Sequence, residues 1–349
     1  MTVLVDTLPS ITEGALHGRN CITVGLVNNM PDAALTSTER QFTGLMRAAS
    51  SRVVVRLLLF SIPQIPRGKE AKQEISERYR DIAELWDSRI DGLIVTGTEP
   101  LAQNLKDEPY WNTLSQIVDW AYDNTTAAIW SCLGAHAAVL HMNGIERQPA
   151  TEKVHGVFDC ETAYHHPMTV DTAHGFRVPH SRYNGLSERD LEEGGYRVLT
   201  RSPVAGVDMF ARQDKSFHLF FQGHPEYEAA TLLREYRRDV GRYLNCERES
   251  YPALPQNYLG DAAGEVAGRF REQAVAERRP DLMSGFPMDE LAAGLEAPWT
   301  PCAIGIYEKW FEYVAARKSE QRPLIAPRRR AWRDWPDDGI VAAAVRSPR

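Results

Sequence analysis

Between residues 22 and 132, short apolar runs alternate with segments of helical length, and few folds accommodate that alternation. The runs at 22–28, 53–60, 92–100 and 126–132 are rich in apolar residues and bounded by Asn, Pro, Gly or Thr, so each reads as a buried strand. Thr36-Ser37-Thr38 followed by Glu39 offer N-caps and a first-turn acid for a helix to about Ala49. Residues 61–75 read as a loop, while 74–87 and 113–124 read as amphipathic helices. Strands alternating with helices predict an α/β fold, a doubly wound, mostly parallel sheet with flanking helices. Such sheets bind ligands outside the carboxyl ends of their strands, where Gly97-Thr98 and Cys132 fall.

After residue 150 the pattern changes. Short strand-like pieces at 156–164, 196–202, 208–213 and 217–222 suit an antiparallel portion on the same sheet. A Gly-His-Pro turn then leads into a long helix over 228–243. Residues 259–298 are Ala- and charge-rich and read as helical. Residues 304–318 form an amphipathic helix with Ile306, Trp310 and Tyr313 on one face. The expected organisation is a main domain over 16–258, a helical C-terminal extension over 259–320 packing on it, and a loosely ordered tail over 321–349.

The strand at 126–132 delivers a cysteine. Residues 127–140, AAIWSCLGAHAAVL, pass from an apolar strand into a small-residue helix at Ser131-Cys132. A sharp strand-to-helix turn is how α/β enzymes hold a nucleophile, with the N–H groups of the helix start available to a thiolate and later to an oxyanion. Taken alone, Cys132 reads equally well as a small buried hydrophobe. A cysteine nucleophile needs a base, and the base needs an orienting partner. His224, in Gln222-Gly223-His224-Pro225-Glu226, falls at the end of another apolar run, with Glu226 near enough to bond the imidazole. The alternative is a plain helix start with Glu226 as a first-turn acid. The pairing with the cysteine turn favours catalysis.

Composition narrows the partners. Of 349 residues 25% are charged, with a net charge of −7, which gives no basic surface for nucleic acid. Five scattered cysteines without C-x-x-C spacing argue against a disulfide framework or a structural zinc site, so no metal is expected. No apolar run is long enough to span a bilayer and no leader pattern opens the chain, so a cytoplasmic location without a membrane partner is expected.

The cysteine turn followed by His-x-Glu resembles the class I glutamine amidotransferase-like superfamily. Within it the chain is most similar to the homoserine O-acyltransferase family (homoserine O-succinyltransferase, or transsuccinylase). The matching stretches are DGLIVTGTEP with Pro109-Tyr110-Trp111, IWSCLGAHAAVLHMNGI, Thr151-Glu152-Lys153 and Pro179-His180-Ser181-Arg182-Tyr183. They continue through GHPEYEAATLLREYRRDV to a late YEKW segment.

The resemblance implies Cys132 as acyl-accepting nucleophile, His224 as general base and Glu226 as its orienting acid. It implies substrate contacts from Lys153, Ser181 and Arg238, with Arg182 and Glu235 as further candidates for substrate carboxylate and amino groups. A guanidinium fork suits an amino-acid carboxylate. Read locally, Lys153 could pair with Glu152, Ser181 could be a turn residue after Pro179, and Arg238 a solvated helix charge. Oxyanion donors are expected from the N–H of Leu133 and from the turn near Pro100-Leu101, with Leu101 as the donor because proline has no N–H.

The implied reaction is ping-pong acyl transfer from succinyl- or acetyl-CoA to the hydroxyl of L-homoserine through an acyl-cysteine, in methionine and sulfur amino-acid synthesis. Acyl-CoA is then a co-substrate, with no bound cofactor. A homodimer is the assembly considered. Serine as acceptor, a glutamine amidotransferase-like hydrolase and a non-catalytic relative are the alternatives. Three features depart from the family: Asp32-Ala33 after Met30-Pro31 where lysines are usual, Leu101 or Ala102 where glycine or glutamate separates acetyl from succinyl donors, and a Cys-x-Gly step at Cys132–Gly134. Gly134 and His136 have a structural alternative as helix packing and a polar helix-face residue.

Overall fold

The computed structural model describes residues 3–5, 21–172 and 175–320, so the tail expected over 321–349 and residues 16–20 lie outside the described residues. Its centre is a ten-stranded sheet, built in chain order from β1 (Val3–Val5), β2 (Cys21–Val27), β3 (Val54–Phe60), β4 (Gly92–Val95), β5 (Ala127–Ser131), β6 (Gln148–Thr162), β7 (Phe176–Gly185), β8 (Arg197–Ser202), β9 (Gly206–Gln213) and β10 (Phe217–Phe221). The spatial order is β1-β3-β2-β4-β5-β10-β9-β8-β6-β7. Pairings from β1 through β5 to β10 are parallel, and those from β10 onward to β7 are antiparallel. The fold is the expected α/β sheet with its antiparallel portion.

The helices are α1 (Asp32–Ala49), α2 (Lys69–Arg78), α3 (Ile82–Asp87), α4 (Trp111–Asn124), α5 (Leu133–Asn143), α6 (Glu188–Glu193), α7 (Thr231–Leu244), α8 (Asp261–Glu277), α9 (Met288–Ala292) and α10 (Thr300–Glu320). Two large apolar clusters sandwich the sheet. Ile129, Leu219 and Phe221 join α1 and α10 on one side, while Ala128, Trp130 and Phe220 join α4 and α5 on the other. A third cluster is separate: Leu233, Tyr236 and Val240 of α7 pack with Ala267, Phe270 and Ala274 of α8. Because β3 and β4 flank β2 on opposite sides, the strand order reverses there and opens a crevice at the strand carboxyl ends.

Local expectations fail where tertiary contacts outweigh periodicity. The single helix expected over 74–87 is broken, because Tyr79 leaves α2 in an extended conformation (φ −104°, ψ 145°). The buried Tyr79 hydroxyl donates to Glu39 Oε2 (3.0 Å) and accepts from Asn28 Nδ2 (3.0 Å). Arg80 N–H bonds Leu59 O (2.8 Å), and Asp81 restarts the chain as α3 by accepting from Ala83 N–H (2.8 Å). Likewise α1 starts at Asp32, after Pro31 (φ −62°), so Thr36–Thr38 lie inside the helix and are not its caps. Strand β7 was not anticipated. Ser181 belongs to it, paired with His155 of β6, and is not a turn residue.

Trp310 of α10 is fully buried on β4, where Gly92 has no side chain to hold it off. A Cβ at Gly92 would lie 2.5 Å from the Trp310 ring. Gly92→Ala should therefore cost about 1–3 kcal/mol by overpacking, and Trp310→Ala about 3–5 kcal/mol by the cavity left behind. Urea unfolding midpoints of the two variants test this.

Candidate active site

Strand β5 ends at Ser131, and Cys132 turns the chain into α5 with φ 51° and ψ −113°, a conformation that L side chains rarely adopt. Neighbouring backbone holds it there. Cys132 N–H donates to Phe221 O of β10 (2.7 Å), and Cys132 O accepts from His136 N–H (3.1 Å). Gly134 explains the Cys-x-Gly step, since a Cβ there would sit 3.0 Å from Val95 O and 3.2 Å from Thr96 O. The glycine lets α5 start hard against the end of β4. His136 is a buried polar residue of α5. It bonds Gln222 Oε1 (3.0 Å), and burial pushes its pKa down to about 3.

Because Ser131 pairs with Phe221, the next residues of β10 emerge beside the cysteine. Gln222 is anchored by donating to Val207 O (2.7 Å) and accepting from Leu186 N–H (2.9 Å). His224 N–H then bonds Pro179 O of β7 (2.8 Å). The His224 ring is buried, with Nδ1 bonded to Glu226 Oε1 at 2.8 Å. The Cys132 sulfur lines the same cleft, near enough to the ring to favour its charged form. Burial opposes charging of the imidazole, but the Glu226 carboxylate and the Cys132 sulfur outweigh it and hold the His224 pKa well above its ordinary value. Tyr227 stacks on the ring, with centroids 4.2 Å apart.

Cys132, His224 and Glu226 line an open cleft of roughly 1050 Å³ that also contains Lys153, Ser181 and Arg238. Lys153 does not pair with Glu152. Its Nζ lies 2.7 Å from Asp239 Oδ2, and Arg238 donates through Nε and Nη2 to Asp239 Oδ1, both at 3.1 Å. Glu235 accepts from the Tyr227 hydroxyl (2.7 Å), and Ser181 lines the cleft with it. Burial raises its pKa, but Lys153, Ser181 and Arg238 more than reverse this, so Glu235 sits below the usual carboxylate range and is ionised. His155 is not its ion-pair partner in neutral solution, because burial pushes the imidazole down to about 4. Lys153, Arg238, Asp239 and Glu235 thus form a group of two positive and two negative charges on one wall.

Two expected roles meet a different geometry. Arg182 lines the cleft, but its Nη1 donates to Asn184 O (2.8 Å), its Nη2 to Ala205 O and its Nε to His180 Nδ1 (3.4 Å). Its fork is spent on holding β7 and leaves little for a substrate carboxylate. Leu101 is 72% exposed, and its N–H donates to Glu108 Oε1 (2.6 Å), so it is not an oxyanion donor. The first N–H of α5, on Leu133, has no acceptor among the described residues. It lies beside Gly97, where a Cβ would approach Leu133 N to 3.0 Å.

Tyr227 and Asp239 are site residues that sequence reasoning missed. Their neighbours Glu226 and Arg238 drew the attention, and only the fold shows which carboxylate shares Lys153. Cys160, His180 and Asp208 meet in the interior behind Gly223, with donor atoms within 4.8 Å of one another. Three donors fall short of the four a structural zinc takes, and Thr200 already donates to Asp208 Oδ2 (2.8 Å). No metal is assigned there. No helix among the described residues is long and apolar enough to cross a membrane.

Known proteins match this chain along most of its length. The family model described as homoserine O-succinyltransferase matches residues 12–321. Homoserine O-succinyltransferase of Rhodopseudomonas palustris is 46% identical over 295 residues, covering 84% of this chain and 89% of that one. That of Bradyrhizobium japonicum is 46% identical over 299 residues, covering 84% and 90%. Among solved structures, a glutamine amidotransferase from Methylobacillus flagellatus aligns at 15% identity with a TM-score of 0.48, covering 84% of this chain and 95% of that one. With a family model spanning residues 12–321 and 46% identity to relatives across most of both chains, the chain belongs to the homoserine O-succinyltransferase family.

Proposed function

We propose that this protein transfers a succinyl group from succinyl-CoA to the γ-hydroxyl of L-homoserine through an acyl-Cys132 intermediate, a step of sulfur amino-acid synthesis. The observation that carries the reading is Cys132 sharing one cleft with a buried, hydrogen-bonded His224–Glu226 pair, beside a wall of two positive and two negative charges. The relatives' names supply the succinyl group and the acceptor.

In the first half-reaction the Cys132 thiolate attacks the thioester carbonyl. The tetrahedral oxygen is met by the Leu133 N–H, the C–S bond to CoA breaks, and the His224 imidazolium protonates the departing sulfur. In the second, neutral His224 takes the proton of the homoserine hydroxyl as that oxygen attacks the acyl-cysteine. The ester leaves, the Cys132 thiolate is restored and the proton remains on His224. Thioester exchange is nearly balanced, so the site contributes mainly orientation and oxyanion stabilisation. The acceptor is a zwitterion. Arg238 and Lys153 suit its carboxylate, and ionised Glu235 suits its ammonium group.

Intact-mass spectrometry after brief mixing with succinyl-CoA or acetyl-CoA, without acceptor, should show one succinyl adduct that Cys132→Ala lacks. An acetyl adduct alone, or none, would overturn the donor assignment or the covalent route. Glu226→Gln removes the anion that keeps His224 protonated. The first half-reaction needs the imidazolium, so lowering its pKa brings deprotonation, and loss of activity, to lower pH. The alkaline limb of kcat/KM for the acyl donor should therefore shift downward, with kcat lower by on the order of 10²-fold. Arg238→Ala should raise KM for homoserine about 10–100-fold while the rate of Cys132 acylation holds, read from steady-state and single-turnover measurements.

A further inference from the structure

Besides His224, the cleft is lined by five arginine and lysine side chains: Arg147, Lys153, Arg182, Arg238 and Arg242. Four are satisfied within the protein. Lys153 and Arg238 share Asp239, Arg242 pairs with Glu99 at 2.6 Å, and Arg182 is spent on two carbonyls and His180. Arg147 differs. It is half-buried, makes no ion pair among the described residues, and gives one hydrogen bond, from Nη2 to Gln103 O at 3.2 Å. Its Nε and Nη1 donate to no acceptor among the described residues. The charge of Glu108 reaches it without a hydrogen bond: that carboxylate gives Oε1 to the N–H groups of Leu101 and Ala102, at 2.6 and 2.7 Å, and its buried Oε2 has no partner among the described residues.

A half-buried guanidinium whose free donors open into a cleft is ready to receive an anion there. Arg147 is tied to the loop at Gln103 and not to the Asp239 group, so it lies outside the set of charges that suits the amino acid. It does face the chemistry, since Arg147 and Cys132 line the same cleft. The anion that belongs there is part of the molecule attached to the Cys132 sulfur. We propose that Arg147 receives the distal carboxylate of a dicarboxylic acyl donor, clamping the acyl group by its far end while Cys132 holds the near one. The assignment rests on the acyl-transfer reading and adds the residue that selects the charged donor. A fork matches a carboxylate bidentately, which a lysine cannot do.

Succinyl-CoA and butyryl-CoA test this, because their acyl chains have the same length and differ in a terminal carboxylate against a methyl. Native protein should favour succinyl-CoA in kcat/KM, and Arg147→Leu should lower the succinyl-to-butyryl ratio at least about tenfold. A purely structural role would lower both rates together and leave the ratio in place. Should Arg147→Leu fail to fold, Arg147→Lys carries the test, with a loss in the ratio of at least about threefold from losing the fork. A ratio that stays at the native value in the folded variants overturns the assignment while leaving acyl transfer intact. Native protein that is acylated by neither thioester overturns both.

Discussion

Everything at the site hangs on one parallel pairing, β5 against β10. Five residues of each strand are in register, ending at Ser131 beside Phe221, and Cys132 N–H closes the ladder on Phe221 O at 2.7 Å. Residues that are distant in sequence therefore leave the sheet at one edge, separated by the spacing of neighbouring strands. That hydrogen bond also holds Cys132 at positive φ, a conformation the residue would leave without support. Glycine handles the tight approaches: Gly134 lets α5 begin against β4, and Gly97 lets the next loop lie against Leu133.

Around this pair, charge is arranged by burial and by neighbours. The imidazoles of His136, His155 and His218, buried without a strong carboxylate partner, are pushed down to about 3, 4 and 4 and remain neutral at physiological pH. His224 is equally enclosed yet moves the other way, because Glu226 Oε2 has no hydrogen-bond partner among the described residues and the carboxylate's charge is directed at one ring. Asp239 plays the corresponding part on the opposite wall, where one carboxylate keeps Lys153 and Arg238 together without neutralising both.

Much of this was readable beforehand. The strands that carry Cys132 and His224 are short apolar runs ended by turn residues, a local signal, and Glu226 lies two residues from the ring it orients. Features set by distant contacts were not readable. Tyr79 breaks a periodic helix because its hydroxyl finds Glu39 and Asn28 across the interior. Ser181 lies on a strand whose partners depend on the β6 bulge between Pro149 and Val154. Leu101 loses its expected role to Glu108, seven residues on, and Arg182 is spent on carbonyls of Asn184 and Ala205. Backbone acceptors have no signature in a sequence, which is why an arginine's donor count there says little about what remains for a ligand.

The separate apolar cluster beneath α7 has a consequence for local stability. Glu235, Arg238 and Asp239 ride on a helix seated by Leu233, Tyr236 and Val240 against α8, whereas β5 and β10 are seated in the two clusters that sandwich the sheet. Such units open with their own free energies, below that of global unfolding. Amide protons of α7 and α8 then exchange through a sub-global opening that those of β5 and β10 do not share. Such an opening would move Glu235, Arg238 and Asp239 while leaving the β5–β10 pairing, and with it Cys132 and His224, in place. Core substitutions under α7 thereby tune the wall that carries these charges separately from the strand pairing that holds Cys132 beside His224.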